Sequence, residues 1–310
     1  MAQVNMQLVK ELRERTQAGL NDCRTALIEA DSDMDKAIEI IQKKGLAKSV
    51  KRAGAVATEG AVLAAVAADG RSGVLVEVNI QTDFAARNAD FQAFAERVLE
   101  AAARAKDGSE LGSEPYPDGA GTIEEARQSL VGRLGENITV RRWGRIRVPG
   151  AGKVQAYVHP GGKVGVLVAL ELGDAAAADR PEFAEFAENL AMQAAAMSPL
   201  FLESSQVPED AKDKQREIYA AQPEVGNKPE QARPKIIQGK LAKWLKEVCL
   251  LDQDSVIETD LTVEQVRAKT SRAIGCDLKV LAFLRYERGE GIEKPKGPDF
   301  AEEVTKMAGG

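Results

Sequence analysis

The chain has 310 residues, 44% hydrophobic and 29% charged, which are the proportions of a folded protein rather than a disordered one. Forty-two basic against 48 acidic residues leave a net charge of −6, which argues against a partner held mainly through phosphate contacts. One histidine, His159, and three scattered cysteines, Cys23, Cys249 and Cys276, leave no zinc or redox pair and remove most metalloenzymes, so no cofactor is expected.

The opening residues (MAQVNMQLVKELRER) carry charges where a secretory leader needs an apolar run, and no stretch reaches 18 apolar residues. The expectation is a cytoplasmic protein without a membrane span. Residues 1–45 predict three short helices: Leu8, Val9 and Leu12 share a face, as do Cys23, Ala26, Leu27 and Ala30, and then Met34, Ala37, Ile38 and Ile41. Asp33 is placed to cap the third helix and Gly45 to end it. So small a bundle suits docking better than catalysis. Leu20, in the turn between the first two helices, either closes that core or stands out as a contact. Residues 46–59 lack an apolar period and are expected to be a linker.

A duplication follows, with a constant offset of 92 residues. Gly73-Val74-Leu75-Val76 returns as Gly165-Val166-Leu167-Val168, and Phe91, Phe94, Ala95 and Glu96 return as Phe183, Phe186, Ala187 and Glu188. Each copy predicts a β-hairpin followed by a helix, the first hairpin turning at Asp69-Gly70. With only two copies and so long a period, a solenoid is excluded, and two related α+β subdomains are expected.

The copies part company where strand meets helix. Thr82 aligns with Asp174, both good caps, but Asp83 and Phe84 align with Ala175 and Ala176. The fold therefore manages at this site without an acid and an aromatic ring. Either Asp83 serves the helix dipole and Phe84 packs inside, or the pair is a probe for a partner. Both readings stand on these residues alone.

Between the copies, Thr122 and Glu125 predict a capping box and Gly135 a helix end. In the strand that follows, alternation puts Ile138, Val140, Ile146 and Val148 on one face and Arg141, Trp143, Arg145 and Arg147 on the other. That basic stripe is either a solvated face or an RNA surface, the second being the runner-up function of a translation-associated RNA-binding adapter. Residues 201–248 predict a protruding helical hairpin, with Ile236, Ile237, Leu241, Trp244, Leu245 and Val248 on one side of its second helix. A return to α+β follows, with a helix near Thr262–Ile274 and a strand at Leu278–Tyr286, and then a tail with Phe300, Val304 and Met307 at helical spacing.

Together these segments resemble the elongation factor Ts family. The resemblance rests on Val9–Thr16, Asp22-Cys23, Gln81-Thr82-Asp83-Phe84, Phe91–Ala95, Gly135-Glu136-Asn137-Ile138, His159, Gly165–Val168 and Gly289–Lys294, and it runs along essentially the whole chain. It implies a ubiquitin-associated-like helical domain at 1–45, a linker at 46–59 and core subdomains at 60–148 and at 149–200 with 249–288. It further implies a helical arm at 201–248 and a C-terminal module at 289–310. By the same likeness the chain is a guanine-nucleotide exchange factor for elongation factor Tu, not an enzyme in the bond-making sense. Thr82, Asp83, Phe84 and Ala85 would disturb the magnesium site of that partner's G domain, and Arg13, Leu20, His159 and Phe300 would contact it. Homodimerisation or a 2:2 complex through the arm stays open. The chain lacks a GxxxxGK[ST] loop, so it is not expected to bind nucleotide itself. It departs from the family pattern at Gln17 (glycine), at Leu20 (methionine), at Pro160 after His159 and in an added segment, 107–121, with no assigned role.

Overall fold

The computed structural model describes residues 5–16, 18–117, 119 and 121–293. Helices α1 (Met6–Thr16), α2 (Leu20–Glu29) and α3 (Met34–Arg52) enclose a small core of Val9, Leu12, Ala18, Cys23, Ala26, Leu27, Ala30 and Ala37. Asp33 caps α3, its carboxylate accepting the Lys36 backbone N–H at 3.1 Å. Gly45 does not end that helix. It lies mid-helix where α3 crosses α6 (Ile123–Leu134), so close that a Cβ on Gly132 would sit 2.7 Å from the Gly45 Cα. A glycine inside a helix costs about 1 kcal/mol relative to alanine, and here that loss is offset by backbone approach. The segment expected as linker therefore begins as helix, and it docks the amino-terminal unit on the core. Lys48 braces the joint through Asp22 at 3.2 Å and the Gly132 carbonyl at 3.4 Å.

The core is α+β. Strands β1 (Glu59–Val66), β2 (Ser72–Ile80) and β3 (Ile138–Arg147) form one antiparallel sheet; β4 (Gly152–Val158), β5 (Val164–Leu172) and β6 (Leu278–Glu287) form the other. After β2 come a single turn, α4 (Asp83–Ala86), and then α5 (Ala89–Arg104); α7 (Pro181–Met197) follows β5. Helices cover the outer faces, where Phe91, Phe94 and Val98 meet Val74, Val76, Val78 and Ile80, and Phe183, Phe186 and Leu190 do the same over β5. The inner faces pack on each other through Val62, Leu75, Val148, Val154, Leu167, Ala169 and Tyr286.

The sheet contact is reciprocal. A Cβ on Gly73 would meet Val154 and Leu167, and one on Gly165 would meet Val62 and Leu75. The Val62 N–H donates to the Gly162 carbonyl at 2.8 Å, and Val154 N–H to Gly70 at 2.7 Å. All these positions exchange at the 92-residue offset, so the two copies face each other across a pseudo-two-fold axis. Each repeated glycine exists because the other copy's side chains fill its place.

The duplication is larger than the hairpin and helix seen in the sequence. The capping box of α6 recurs on α11 (Val263–Ile274) at Thr262 and Gln265, with Gly135 and Gly275 as left-handed ends. Arg127 pairs with Glu124 and donates to the Ile138 carbonyl; Arg267 pairs with Glu264 and donates to that of Leu278. This second half of the repeat is displaced because α8 (Glu209–Ala220), α9 (Pro223–Gly226) and α10 (Arg233–Val248) are inserted in copy two.

β3 also breaks strict alternation. Val140 faces Val78 and Arg142 faces Glu77, leaving Arg141 as a bulge. Ile138 and Val140 therefore join the helix-side core while Ile146 and Val148 turn to the inter-sheet core, contrary to the single face expected from period two.

Candidate functional site

The Thr82–Ala85 turn is set by sheet register. Ile80 pairs with Ile138, so the next residues outward, Gln81 and Asn137, then Thr82 and Glu136, meet beyond the last strand pair. The Gln81 amide oxygen accepts the Asn137 N–H at 2.7 Å, and Asn137 in turn donates to the Ala55 carbonyl at 2.7 Å. Glu136 receives both donors of Thr82, the backbone N–H at 3.0 Å and the hydroxyl at 2.8 Å. The same hydroxyl oxygen accepts the Ala85 N–H at 3.2 Å and so caps α4. Asp83 pairs with Arg87 at 3.0 Å across one helical turn. Ala86 is buried and Ala85 half-buried, which anchors the inner side of the turn. Phe84 is not part of that anchor: it is 82% exposed, more than any other large hydrophobic among the described residues. The reading in which Phe84 packs inside is thereby excluded.

His159 sits on the loop between β4 and β5, exposed, its Nδ1 2.9 Å from the Tyr157 hydroxyl. A groove of about 800 Å³ joins this loop to the turn, lined by Asp83 and Arg87 on one side and by Val158, Gly161 and Gly162 on the other, with Arg288 beside them. Two of the expected contact regions thus border one depression. Arg13 and Leu20 lie elsewhere, exposed on α1 and α2 in the amino-terminal unit. Phe300 and Gln17 lie outside the described residues.

The family profile described as Elongation factor TS matches residues 81–290, from the base of this turn to the turn after β6. A curated protein of Clostridium acetobutylicum, "Elongation factor Ts", is 44% identical over 308 residues, covering 98% of both chains. Proteins of the same name from Clostridium perfringens and Clostridium kluyveri are 44% and 42% identical, each alignment covering 99% of both chains. The chain belongs to the elongation factor Ts family.

In this family member most of the basic stripe of β3 is spent on contacts within the fold, although Arg147 remains half exposed. Arg145 donates to the carbonyls of Ala102, Ala103 and Ala105, closing the C-terminus of α5, where a cation is favoured. Arg147 pairs with Asp107, and the Trp143 indole donates to the Ser109 carbonyl at 3.0 Å. Part of the added 107–121 segment is thus packed; Leu111 is buried and the Tyr116 ring stacks on Phe94 at 6.1 Å. The RNA-adapter reading has no support from these contacts.

Arg141 and Arg142 instead converge on Glu77, a fully buried carboxylate that also accepts the Gly289 N–H at 2.7 Å and the Asn79 side-chain amide at 3.1 Å. Burial pushes the Glu77 carboxyl up, but the bonds from Gly289, Arg141, Arg142 and Asn79 outweigh it and hold the group below its ordinary range. Both arginines also hold Glu290, one through its carbonyl and one through its carboxylate, and Arg288 donates to the Gly60 carbonyl at 3.1 Å. The turn after β6 is therefore locked onto copy one, next to the groove.

The divergence of the two copies marks the Thr82-Asp83-Phe84 segment in the sequence, whereas nothing there assigns a role to Glu136, Arg87 or Glu77. The signal for Glu77 was present, since the duplicated position is Ala169.

Proposed function

We propose that this family member is a guanine-nucleotide exchange factor that binds elongation factor Tu in its GDP form, disturbs the magnesium site of the G domain and promotes GDP release during translation elongation. One observation carries the reading: Phe84 stands 82% exposed on a turn that is otherwise tied to the core. A large apolar side chain held out by a fixed scaffold has something to gain only on binding, about 1.5–3 kcal/mol when fully buried.

Magnesium requires near-octahedral oxygen ligation, so moving one ligand or water is enough to weaken it. Phe84 supplies the driving force by entering an apolar pocket of the partner, and Asp83 perturbs the water network beside the ion. Thr82 and Ala85 hold the turn. No covalent bond is made or broken. Exchange needs only a factor that binds nucleotide-free partner more tightly than GDP-bound partner; by linkage, GDP then weakens factor binding by the same ratio. A coupling of about 4 kcal/mol corresponds to roughly a thousandfold.

In this reading His159 and its loop form the second contact across the groove, and the α1–α3 unit is a ubiquitin-associated-like module that docks through Arg13 and Leu20. The C-terminal module around Phe300 adds a further contact to the G domain. The α8–α10 arm, with Ile218 exposed on α8, offers a route to a homodimer or a 2:2 complex. The setting is the cytoplasm, where translation takes place; no helix among the described residues is long and apolar enough to cross a membrane.

The test is release of a fluorescent GDP analogue from purified elongation factor Tu. Substoichiometric protein should accelerate release, and Phe84→Ala should slow that exchange about tenfold or more, as expected when burial of one large side chain is lost, with the circular dichroism spectrum unchanged. Full activity in Phe84→Ala would remove the mechanism. No acceleration by the parent protein would remove the function.

A further inference from the structure

We infer that Glu136 is the positioning residue for Phe84: its carboxylate, by taking both donors of Thr82, sets the turn that presents the ring. The inference deepens the exchange-factor reading and rests on it. Each oxygen of Glu136 has its own donor, Thr82 N–H to Oε2 at 3.0 Å and Thr82 Oγ1 to Oε1 at 2.8 Å. With its proton committed to Glu136, the hydroxyl can only accept from within the turn, and it does so from the Ala85 N–H. The Ala86 N–H then closes on the Thr82 carbonyl at 3.0 Å, completing α4 around Phe84.

The second copy is the internal control. The residue corresponding to Glu136 there is Cys276, which offers no carboxylate. The cap position is filled by Asp174, whose own side chain accepts from Ala176 at 3.0 Å. The backbone after it takes a 3₁₀ turn, Ala175–Asp179, instead of the α turn of copy one. A carboxylate across from the cap and an outward aromatic ring occur together in one copy and are missing together in the other.

The hydrogen bonds of Glu136 go to Thr82, so it acts through the turn. Glutamine at this position keeps the size but removes the charge, and its NH2 cannot accept the Thr82 hydroxyl proton, so the charge-assisted bond is lost. The experiment uses the full chain with Glu136→Gln, Phe84→Ala and the double variant, and reads two quantities. Amide hydrogen exchange of the 81–87 segment in the free protein should speed up in Glu136→Gln while the β2 and α5 amides keep their protection. GDP-analogue release at saturating factor should fall about tenfold, the scale of one lost charge-assisted hydrogen bond, with half-saturation little changed. In the Phe84→Ala background the same substitution should add almost nothing. Unchanged protection at 81–87, parental exchange in Glu136→Gln, or an equal further loss in the Phe84→Ala background overturns the inference and leaves the exchange-factor reading intact. A parent protein that fails to accelerate release overturns that reading instead, and the amide protection alone then decides whether Glu136 sets the turn.

Discussion

Removing the Glu77 carboxylate should destabilise copy one far more than the loss of an ordinary surface ion pair. Glu77 has no solvent exposure and satisfies four groups: Arg141, Arg142, the Asn79 amide and the Gly289 N–H. Glu77→Ala, which installs the residue of the second copy, would leave two guanidinium groups facing each other over a void. Breaking one side of a buried pair costs about 3–5 kcal/mol. The arginine side chains are 23% and 30% exposed, so water reaches them in part and the lower end, about 3 kcal/mol, is expected. Guanidinium denaturation measured by circular dichroism gives the number. Native-state amide exchange locates it, since Gly289 should lose protection well before the α7 and α11 amides of copy two. A loss under about 1 kcal/mol, the range of exposed ion pairs, would refute the reasoning, as would a Gly289 amide that stays as protected as before.

The same carboxylate fixes a pH dependence. Because its folded pKa lies below the ordinary 4.5, its contribution is complete above about pH 4.5 and drains away as the pH falls through the folded value; acid titration of the parent should therefore show a stability loss below pH 4.5 that is smaller in Glu77→Ala. Gly132→Val places a branched side chain where even a Cβ would lie 2.7 Å from the Gly45 Cα. It should pry α3 from α6 at a cost of about 1–3 kcal/mol and expose residues 53–58 to limited proteolysis, and an unchanged digest would count against the crossing. Burial pushes the Cys249 thiol up to about 11, so at pH 8 it should resist a thiol reagent in the native protein and react on unfolding; prompt native labelling of Cys249 would contradict its buried site.

Several outcomes trace to local rules. The capping box at Thr122 and Glu125 and the Asp33 cap form as their residue types and spacing require, because a cap needs only neighbours three residues away. Gly45 misled for the opposite reason. Its local signal, a glycine after an apolar run, is a helix stop, but the partner that overrides it is Gly132, distant in sequence. The β3 stripe misled in the same way: the bulge at Arg141 is decided across the sheet, opposite Glu77, and one extra residue turns the rest of the strand over.

The sequence by itself determined the duplication, the helices and hairpins within each copy, and the departure of one copy from the other at Asp83-Phe84; these are patterns carried by residues close together or repeated at a fixed offset. Only the tertiary structure decided that Phe84 points outward, that Glu136 holds its turn, that the arginines of β3 are spent on Glu77 and on the end of α5, and that the His159 loop shares a groove with Asp83. Exposure and pairing depend on which residues the fold brings together from far along the chain, and that is fixed by sheet register and packing rather than by the local order of residues.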